Sequence, residues 1–257
     1  MNFLSIADLT AKELKQVLIL AKKRKNRSSN LLKGKTMVLL FEKPSLRTKL
    51  SFDVAMNQLG GHSVYFNPQE FGLGTREPAS DIGKVVSSMA DLIVARVFSH
   101  SSLTELAAAS SVSVINALSD LEHPCQALAD FLTILEVKGK LEGLTLAYVG
   151  DGDNNVTHSL ALGCSLFGMN FRCASPKGFW MNKEIVQKAK RIVETDDPAE
   201  AVKNADIVYT DTWVSMGAES EKTKRLKIFK PYQVNKGLMQ YAKKDAIFMH
   251  DMPAYRG

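Results

Sequence analysis

The chain has 257 residues, of which 45% are hydrophobic and 23% are charged, and its formal net charge is +6 at pH 7. These values are those of an ordinary soluble globular protein with one large domain or two modest ones. No Lys/Arg cluster is interleaved with aromatic residues, so the sequence predicts no nucleic-acid partner, and the mild positive charge suits a small anionic substrate equally well.

Cysteine usage and the N-terminal segment indicate the compartment. Cys125, Cys164 and Cys173 are widely spaced and form neither a metal-ligand pair nor an even disulfide framework, which suits a reducing environment and predicts no metal site. The opening "MNFLSIADLTAKEL" has no basic segment followed by an apolar one, so no signal peptide is predicted. No apolar run approaches the length of a membrane span. We therefore predict a cytoplasmic protein without a membrane partner.

Helical and extended patterns alternate along the first half of the chain. Thr10 followed by Glu13 predicts a capping box at the start of the first helix. The pattern then predicts a strand at 36–41, a helix at 45–59, a strand at 63–67, a helix at 79–90, a strand at 92–98, a helix at 103–110 and a strand at 112–117. Continuously apolar strands of this kind are typical of parallel sheets covered on both faces.

The alternation restarts after a long helix at 123–139. It predicts a strand at 144–150, a helix at 155–167, a strand at 170–176, helices at 182–194 and 198–204, a strand at 206–211, helices at 221–229 and 236–243, and a final strand at 246–251. The sequence thus predicts an α/β fold of two doubly wound, Rossmann-like parallel-sheet domains, at residues 1–137 and 138–257.

Polar residues that follow the predicted strands are candidates for a site, because ligands of open α/β sheets lie beyond the carboxyl ends of the strands. Each has a plainer interpretation: Ser45 as a helix cap, Arg47 as a surface residue, Arg96 as a buried ion-pair partner. Together, the candidates of the first half form an anion site, and those of the second half could hold an ammonium and a carboxylate. The candidates are Ser45, Arg47, Thr48, Arg96, His123 and Gln126, and then Asn155, Asp211 and Ser215. The segment "GDGDNN" lacks the G-x-G-x-x-G spacing, so no dinucleotide cofactor is predicted.

Three motifs in order carry a resemblance to a known family. "SLRT" at 45–48, "HPCQ" at 123–126 and "DTWVSMG" at 211–217 resemble the aspartate/ornithine carbamoyltransferase family, in its ornithine branch, and the match runs over essentially the whole chain. The resemblance implies transfer of the carbamoyl group of carbamoyl phosphate to the δ-amine of L-ornithine, giving L-citrulline and phosphate in arginine metabolism. It implies no cofactor and no metal, and a homotrimer or a multiple of trimers.

The resemblance also implies a role for each matching residue. The phosphate of carbamoyl phosphate would contact Ser45, Leu46, Arg47 and Thr48, and the carbamoyl end would contact the catalytic residues Arg96, His123 and Gln126. Ornithine would contact Asn155, Asp211, Ser215, Met216, Asp251 and Met252, with Asp211 pairing with the α-ammonium. Asp251 stands where the family has a cysteine. We expect its carboxylate to be charged at neutral pH and to be catalytic, either by raising the pKa of the δ-amine or by taking its proton as a general base. The plainer interpretation is that Asp251 turns away and caps the turn before Pro253.

Two alternatives remain open from the sequence. The chain could carbamoylate another amine or amino acid, although "DTWVSMG" argues against aspartate. It could also be a non-catalytic, truncated paralogue, because the resemblance implies a further C-terminal helix that this chain lacks, which leaves the second domain truncated.

Overall fold

The computed structural model describes residues 1–73, 76–214 and 219–255. The chain divides into two compact units, Met1–Leu128 and Ala129–Gly257. The division falls inside one helix, α5, which also contains the boundary that the sequence predicts at residue 137. Each unit contains one parallel β-sheet with helices, which confirms the predicted α/β fold class.

The first unit has a four-stranded sheet in the order β2-β1-β3-β4, and all three pairings are parallel. The chain leaves the central strand β1 outward to β2, then returns to its other side for β3 and β4. The strand order therefore reverses between β1 and β3, and the carboxyl ends of these two strands lie side by side. The elements are a 3-10 turn at Ile6–Asp8, α1 (Ala11–Arg24), β1 (Thr36–Phe41), α2 (Leu46–Gln58), β2 (His62–Phe66), α3 (Ala79–Ser87), β3 (Leu92–Arg96), α4 (His100–Ala109), β4 (Ser113–Leu118) and α5 (Pro124–Lys138).

The second unit has a five-stranded sheet in the order β7-β6-β5-β8-β9, again with parallel pairings. Its strand order reverses between β5 and β8, so these two strands end next to each other. The elements are β5 (Thr145–Val149), α6 (Asn155–Phe167), β6 (Asn170–Ala174), α7 (Lys183–Lys188), β7 (Ile192–Thr195), α8 (Pro198–Val202), β8 (Ile207–Thr210), α9 (Lys222–Phe229), α10 (Lys236–Met239) and β9 (Ile247–His250), with 3-10 turns at Glu219–Glu221 and Lys230–Tyr232.

The predicted helix at 182–194 is wrong in its second half. α7 ends at Lys188, and residues 192–195 form the edge strand β7, which pairs with β6. Arg191 has a φ of 60°, a left-handed conformation that an α-helix cannot contain. The β-branched residues that follow it favour an extended edge strand over another helical turn.

The two sheets form the centres of the hydrophobic cores. Residues 37–41 of β1 and all five residues of β5 are buried, so each central strand is covered on both faces, as its continuous apolar run predicts. Among the described helices, none combines the length and the apolar character needed to cross a membrane.

Helices α3 and α4 approach each other closely at a glycine. A Cβ built on Gly83 would lie 2.6 Å from the carbonyl oxygen of Leu106, a backbone atom that cannot turn away. We expect Gly83→Ala to destabilise the protein by about 1–3 kcal/mol through overpacking, although alanine is the better helix former. Urea unfolding followed by circular dichroism measures the change.

Val85→Ala is the matched control, because it places alanine in the same helix at a side chain that is 55% exposed. We expect it to change stability by less than about 0.5 kcal/mol. Equal stabilities for the Gly83 variant and the wild type would show that the helices can separate without cost.

Candidate active site

The N-terminus of α2 follows β1 and carries the four predicted phosphate contacts. Ser45 is the N-cap: its Oγ accepts a hydrogen bond from the Thr48 amide at 3.4 Å and donates one to Thr48 Oγ1 at 2.9 Å. Arg47 lies in the first turn and is exposed. The Leu46 side chain is 78% exposed, and its amide belongs to the first turn, whose N–H groups have no intrahelical acceptor. This end of α2 is therefore suited to an anion.

Arg96, the last residue of β3, brings a second guanidinium to this position. The pairing of β3 with β4 shifts register between Ala95 and Arg96, and such a bulge changes the direction in which a side chain points. Arg96 is 5% exposed and donates to Thr48 Oγ1 at 3.4 Å. Its Nε is buried and has no hydrogen-bond partner among the described residues.

The charge of Arg96 is retained at neutral pH. Burial, followed by the charge of Arg47, lowers the pKa of Arg96 to about 10, which still leaves the guanidinium protonated. None of the described carboxylates pairs with it. A buried cation of this kind is costly without a counter-ion, so the geometry favours an anionic ligand.

His123 precedes the first turn of α5, and its carbonyl oxygen accepts a hydrogen bond from the Ala127 amide at 3.2 Å. Its Nδ1 is buried, and burial together with the charge of Arg96 lowers the pKa of His123 to about 3. The imidazole is therefore neutral at pH 7 and offers one donor and one acceptor. Gln126 lies in the first turn of the same helix and is half-buried.

Two loops of the first unit are joined by Glu42, which the sequence analysis did not single out. The Glu42 amide donates to the carbonyl oxygen of Arg96, and the Phe98 amide donates to Glu42 Oε2, both at 2.8 Å. These bonds fix the segment before α2 against the end of β3. The glutamate follows β1 directly, which is the signal that could have identified it.

In the second unit, the ends of β5 and β8 are connected through Asn154 and Asp211. Asn154 caps α6 with its Oδ1, which accepts from the Val156 amide at 2.7 Å, and its Nδ2 donates to Asp211 Oδ2 at 3.0 Å. Asn154 is therefore the residue that orients Asp211. Asn155 is the first residue of α6 and is half-buried.

Asp251 follows β9 and lies close to Asp211. Ligand atoms of Asp211, His250 and Asp251 all lie within 4.8 Å of one another. Burial raises the pKa of Asp251 to about 9, with further contributions from the charge of Asp211, a hydrogen bond between the two carboxyl groups, and the charge of Asp130. The expectation of a charged Asp251 at neutral pH is therefore wrong, because three acidic groups share a poorly hydrated space. A protonated carboxyl is also a poor cation ligand.

The other predicted ornithine contacts are less informative. Met252 is 51% exposed. Ser215 and Met216 lie outside the described residues. Thus the described part of the chain brings together Asp211 and Asp251, with Asn154 beside them.

Two pairs of polar residues near this cluster were missed by the sequence analysis. Tyr209 donates to Asp130 Oδ2 at 3.0 Å, and burial raises the pKa of Tyr209 far above its usual value. The guanidinium of Arg225 pairs with Asp151, and both are buried. Arg225 lies in the charged segment "EKTKRLKIF", where the surrounding lysines gave no signal of burial.

Both halves of the chain match models of a known family. Residues 1–136 match the carbamoyl-P binding domain of aspartate/ornithine carbamoyltransferases, and residues 142–257 match their Asp/Orn binding domain. The chain belongs to the aspartate/ornithine carbamoyltransferase family. The resemblance carried by the three motifs is thereby confirmed.

Members of this family from several organisms are similar to the chain over its full length. The ornithine carbamoyltransferase of Methanocaldococcus jannaschii is 47% identical, and the match covers 100% of this chain and 88% of the relative. The catabolic ornithine carbamoyltransferase of Thermoplasma acidophilum is 46% identical, with 100% and 87% covered.

Solved structures of family members also match. The ornithine carbamoyltransferase from Pyrococcus furiosus has a TM-score of 0.95 at 43% identity, with 100% of this chain and 86% of that chain covered. The anabolic ornithine carbamoyltransferase from Campylobacter jejuni has a TM-score of 0.94 at 36% identity, with 100% and 87% covered. The relatives thus include both anabolic and catabolic proteins.

The raised pKa of Asp251 predicts a pH-dependent stability. Between the pKa of an unfolded aspartate, about 4, and the folded value of about 9, the folded state holds a proton that the unfolded state has lost. The free energy of unfolding therefore falls as pH rises through this range. Asp251→Asn removes this titration, so we expect the stability of the variant relative to the wild type to increase from about pH 5 to about pH 9.

Urea unfolding at the two pH values measures this difference. Asp245→Asn is the control in the same unit, because a hydrogen bond from Lys138 lowers the pKa of Asp245, and its titration is complete below this range. The Asp245 variant should differ from the wild type by the same amount at both values. If the stability difference between the Asp251 variant and the wild type were also the same at both pH values, the raised pKa of Asp251 would be contradicted.

Proposed function

We propose that the chain transfers the carbamoyl group of carbamoyl phosphate to the δ-amine of L-ornithine, giving L-citrulline and phosphate. The observation that carries this proposal is the buried guanidinium of Arg96, which hydrogen-bonds to Thr48 at the N-terminus of α2 and has no described carboxylate partner. An anion that brings several acceptor oxygens, such as the phosphate of carbamoyl phosphate, satisfies the guanidinium and the helix N-terminus together.

In this proposal the first unit holds carbamoyl phosphate and stabilises the charge that develops on it. Ser45, Leu46, Arg47 and Thr48 bind the phosphate, and Arg96 offsets the charge gained by the leaving group. Attack by the amine also places negative charge on the carbonyl oxygen, which donors already in position stabilise more than they stabilise the ground state. His123, neutral at pH 7 because of its lowered pKa, would donate a hydrogen bond there, with Gln126 beside it.

The second unit would hold ornithine. Asp211, oriented by Asn154 at 3.0 Å, would accept the α-ammonium, with Asn155, Ser215, Met216 and Met252 around the substrate. The δ-amine must lose its proton before it attacks, and a carboxylate beside it would oppose that loss. Asp251 in its acid form does not do so. Once ionised, it can take a proton from the amine as a general base.

The proposal concerns the reaction itself, which anabolic and catabolic relatives share by name. The homotrimer that the resemblance implies stays a prediction.

A substrate comparison tests the proposed function. Citrulline and phosphate formation from carbamoyl phosphate are measured with L-ornithine, and the same assay is repeated with L-aspartate and with putrescine, an ornithine without its carboxylate. Of the three amines, we expect only L-ornithine to support phosphate release from carbamoyl phosphate. Phosphate release with putrescine at equal efficiency would favour a carbamoyltransferase for another amine. Binding of carbamoyl phosphate without product from any amine would favour the non-catalytic alternative.

Arg47→Ala should weaken carbamoyl phosphate binding without affecting the fold. The side chain is exposed, so its removal costs little stability, but a charge-assisted contact with phosphate is worth about 1.5–3 kcal/mol, or about tenfold or more in affinity. Isothermal titration calorimetry measures the affinity. Arg27→Ala, at an exposed arginine after α1, is the matched control. If both variants bind like the wild type, Arg47 is an ordinary surface residue.

Asp211→Asn should raise KM for ornithine by about tenfold or more and change KM for carbamoyl phosphate by less than about twofold. The reason is that asparagine keeps the shape of the side chain but loses the charge that pairs with the α-ammonium. Asp153→Asn, in the neighbouring loop with a side chain 62% exposed, should leave both constants unchanged. Equal rises for the two substrates would refute the assignment of Asp211 to ornithine alone.

A further inference from the structure

Arg225 is a buried arginine that binds two loops at once. It lies on α9 and is 8% exposed. Its Nε donates to the carbonyl oxygen of Trp213 at 2.6 Å, and another nitrogen of the same guanidinium pairs with the carboxylate of Asp151. The guanidinium also lies over the rings of Phe179 and Phe229, at 5.0 Å and 5.3 Å from their centroids.

One of the two loops that Arg225 binds carries Asp211, and the other carries Asn154, which hydrogen-bonds to Asp211. Asp151 follows β5, in the loop that ends at Asn154, and Trp213 lies two residues after Asp211. Thr210 Oγ1 donates to the carbonyl oxygen of Val149 at 2.6 Å, and this hydrogen bond joins the ends of β8 and β5. The Asn154–Asp211 hydrogen bond at 3.0 Å joins the two loops that follow these strands. Arg225 is the third connection, and it comes from a helix outside the sheet.

The two contacts require the shape of a guanidinium. A planar fork presents Nε and a terminal nitrogen in fixed directions, toward a carbonyl oxygen and a carboxylate respectively. A lysine ammonium can neutralise Asp151, but it is a single point charge and does not reproduce both contacts with the same geometry. If Arg225 only neutralised the buried carboxylate of Asp151, a lysine could replace it. If Arg225 also positions the loop of Trp213, the guanidinium is required for both contacts.

We propose that Arg225 is a positioning residue for the amino-acid substrate, which holds the segment from Asp211 to Trp213 in the orientation that presents the Asp211 carboxylate to the substrate's α-ammonium. This inference rests on the proposed function for the identity of the substrate. In this role Arg225 acts through Trp213 and Asp151, which it contacts, rather than on the substrate.

The test compares two conservative variants in the full chain. Arg225→Lys keeps the charge opposite Asp151 and loses the fork. Arg172→Lys is the matched control, because Arg172 in the same unit also donates to a backbone carbonyl, that of Lys203, at 2.6 Å, but on a loop away from Asp211. Steady-state kinetics give KM and kcat for both substrates, and thermal unfolding gives the stability of each variant.

We expect Arg225→Lys to raise KM for ornithine by about tenfold or more, with KM for carbamoyl phosphate within about twofold of the wild type. Arg172→Lys should change neither KM value, even if it lowers the unfolding temperature as much as Arg225→Lys does. Wild-type kinetics in Arg225→Lys would overturn the inference, since charge alone would then suffice. So would equal rises in both KM values, or a rise in ornithine KM for Arg172→Lys as large as that for Arg225→Lys, because these indicate general destabilisation.

A spectroscopic readout separates this inference from the proposed function. The chain has two tryptophans, Trp180 and Trp213, so Trp180→Phe leaves Trp213 as the only tryptophan, whose emission is excited selectively at wavelengths that tyrosine does not absorb. The Trp213 ring stacks on Phe229 with centroids 6.4 Å apart. In this background and without substrate, Arg225→Lys should move the emission to longer wavelength as the ring becomes more hydrated, and Arg172→Lys should not.

If the unmodified chain forms no citrulline, the proposed function fails, and the emission of Trp213 still decides whether Arg225 positions this segment. Titration with L-norvaline, which is ornithine without its δ-amine, then probes the α-ammonium site directly. Weaker norvaline binding in Arg225→Lys than in Arg172→Lys supports the positioning role. Equal binding and unchanged emission refute it.

Discussion

A buried guanidinium without a described carboxylate partner is the constraint on which the first unit depends. Arg96 is 5% exposed, and its guanidinium hydrogen-bonds only to the hydroxyl of Thr48 among the described residues. Such a cation is costly unless an anion arrives, and the N-terminus of α2 cannot supply one, because its own partial charge is positive. Burial, reinforced by the charge of Arg96, lowers the pKa of the nearby His123 to about 3. The unpaired cation thus selects an anionic ligand, and together with burial it keeps the His123 imidazole neutral.

The second unit uses the same topology with the opposite charge. Its strand order also reverses between two central strands, and the loops after β5, β8 and β9 gather Asp151, Asp211 and Asp251. Arg225 pairs with Asp151, whereas Asp251 holds its proton beside Asp211. In both units the topology of the parallel sheet determines only where the site side chains lie, namely beyond the carboxyl ends of adjacent strands. The sign of the charge on these side chains determines which ligand can bind. A phosphate suits the first unit and an ammonium the second.

Local patterns predicted the elements well where one periodicity dominated. The strand at 36–41 and the helix at 155–167 have the predicted bounds, and the Thr10–Glu13 capping box forms. The edge strand β7 was missed because the deciding feature, the positive φ of Arg191, is not visible in composition.

The site residues were likewise predicted only in part. Residues in contiguous motifs were identified, whereas Arg225 was not, because its burial depends on Asp151, far away in sequence. Sequence favoured Asn155, while the structure gives the contact with Asp211 to Asn154.

The protonation of Asp251 shows how a carboxylate can occupy the position where the family resemblance implies a cysteine. A cysteine thiol with an ordinary pKa near 8.5 is neutral at pH 7. With a pKa of about 9, Asp251 is neutral there too, although an isolated aspartate would not be. Its acid form therefore depends on its neighbours: Asp211 and Asp130 supply the repulsion, and burial removes the water that would offset it. A positive charge brought beside Asp211 would relieve that repulsion and make loss of the proton easier. Binding of an ammonium and ionisation of Asp251 are thus coupled, so in the proposed reaction the carboxylate that could act as general base would form when the amine substrate binds.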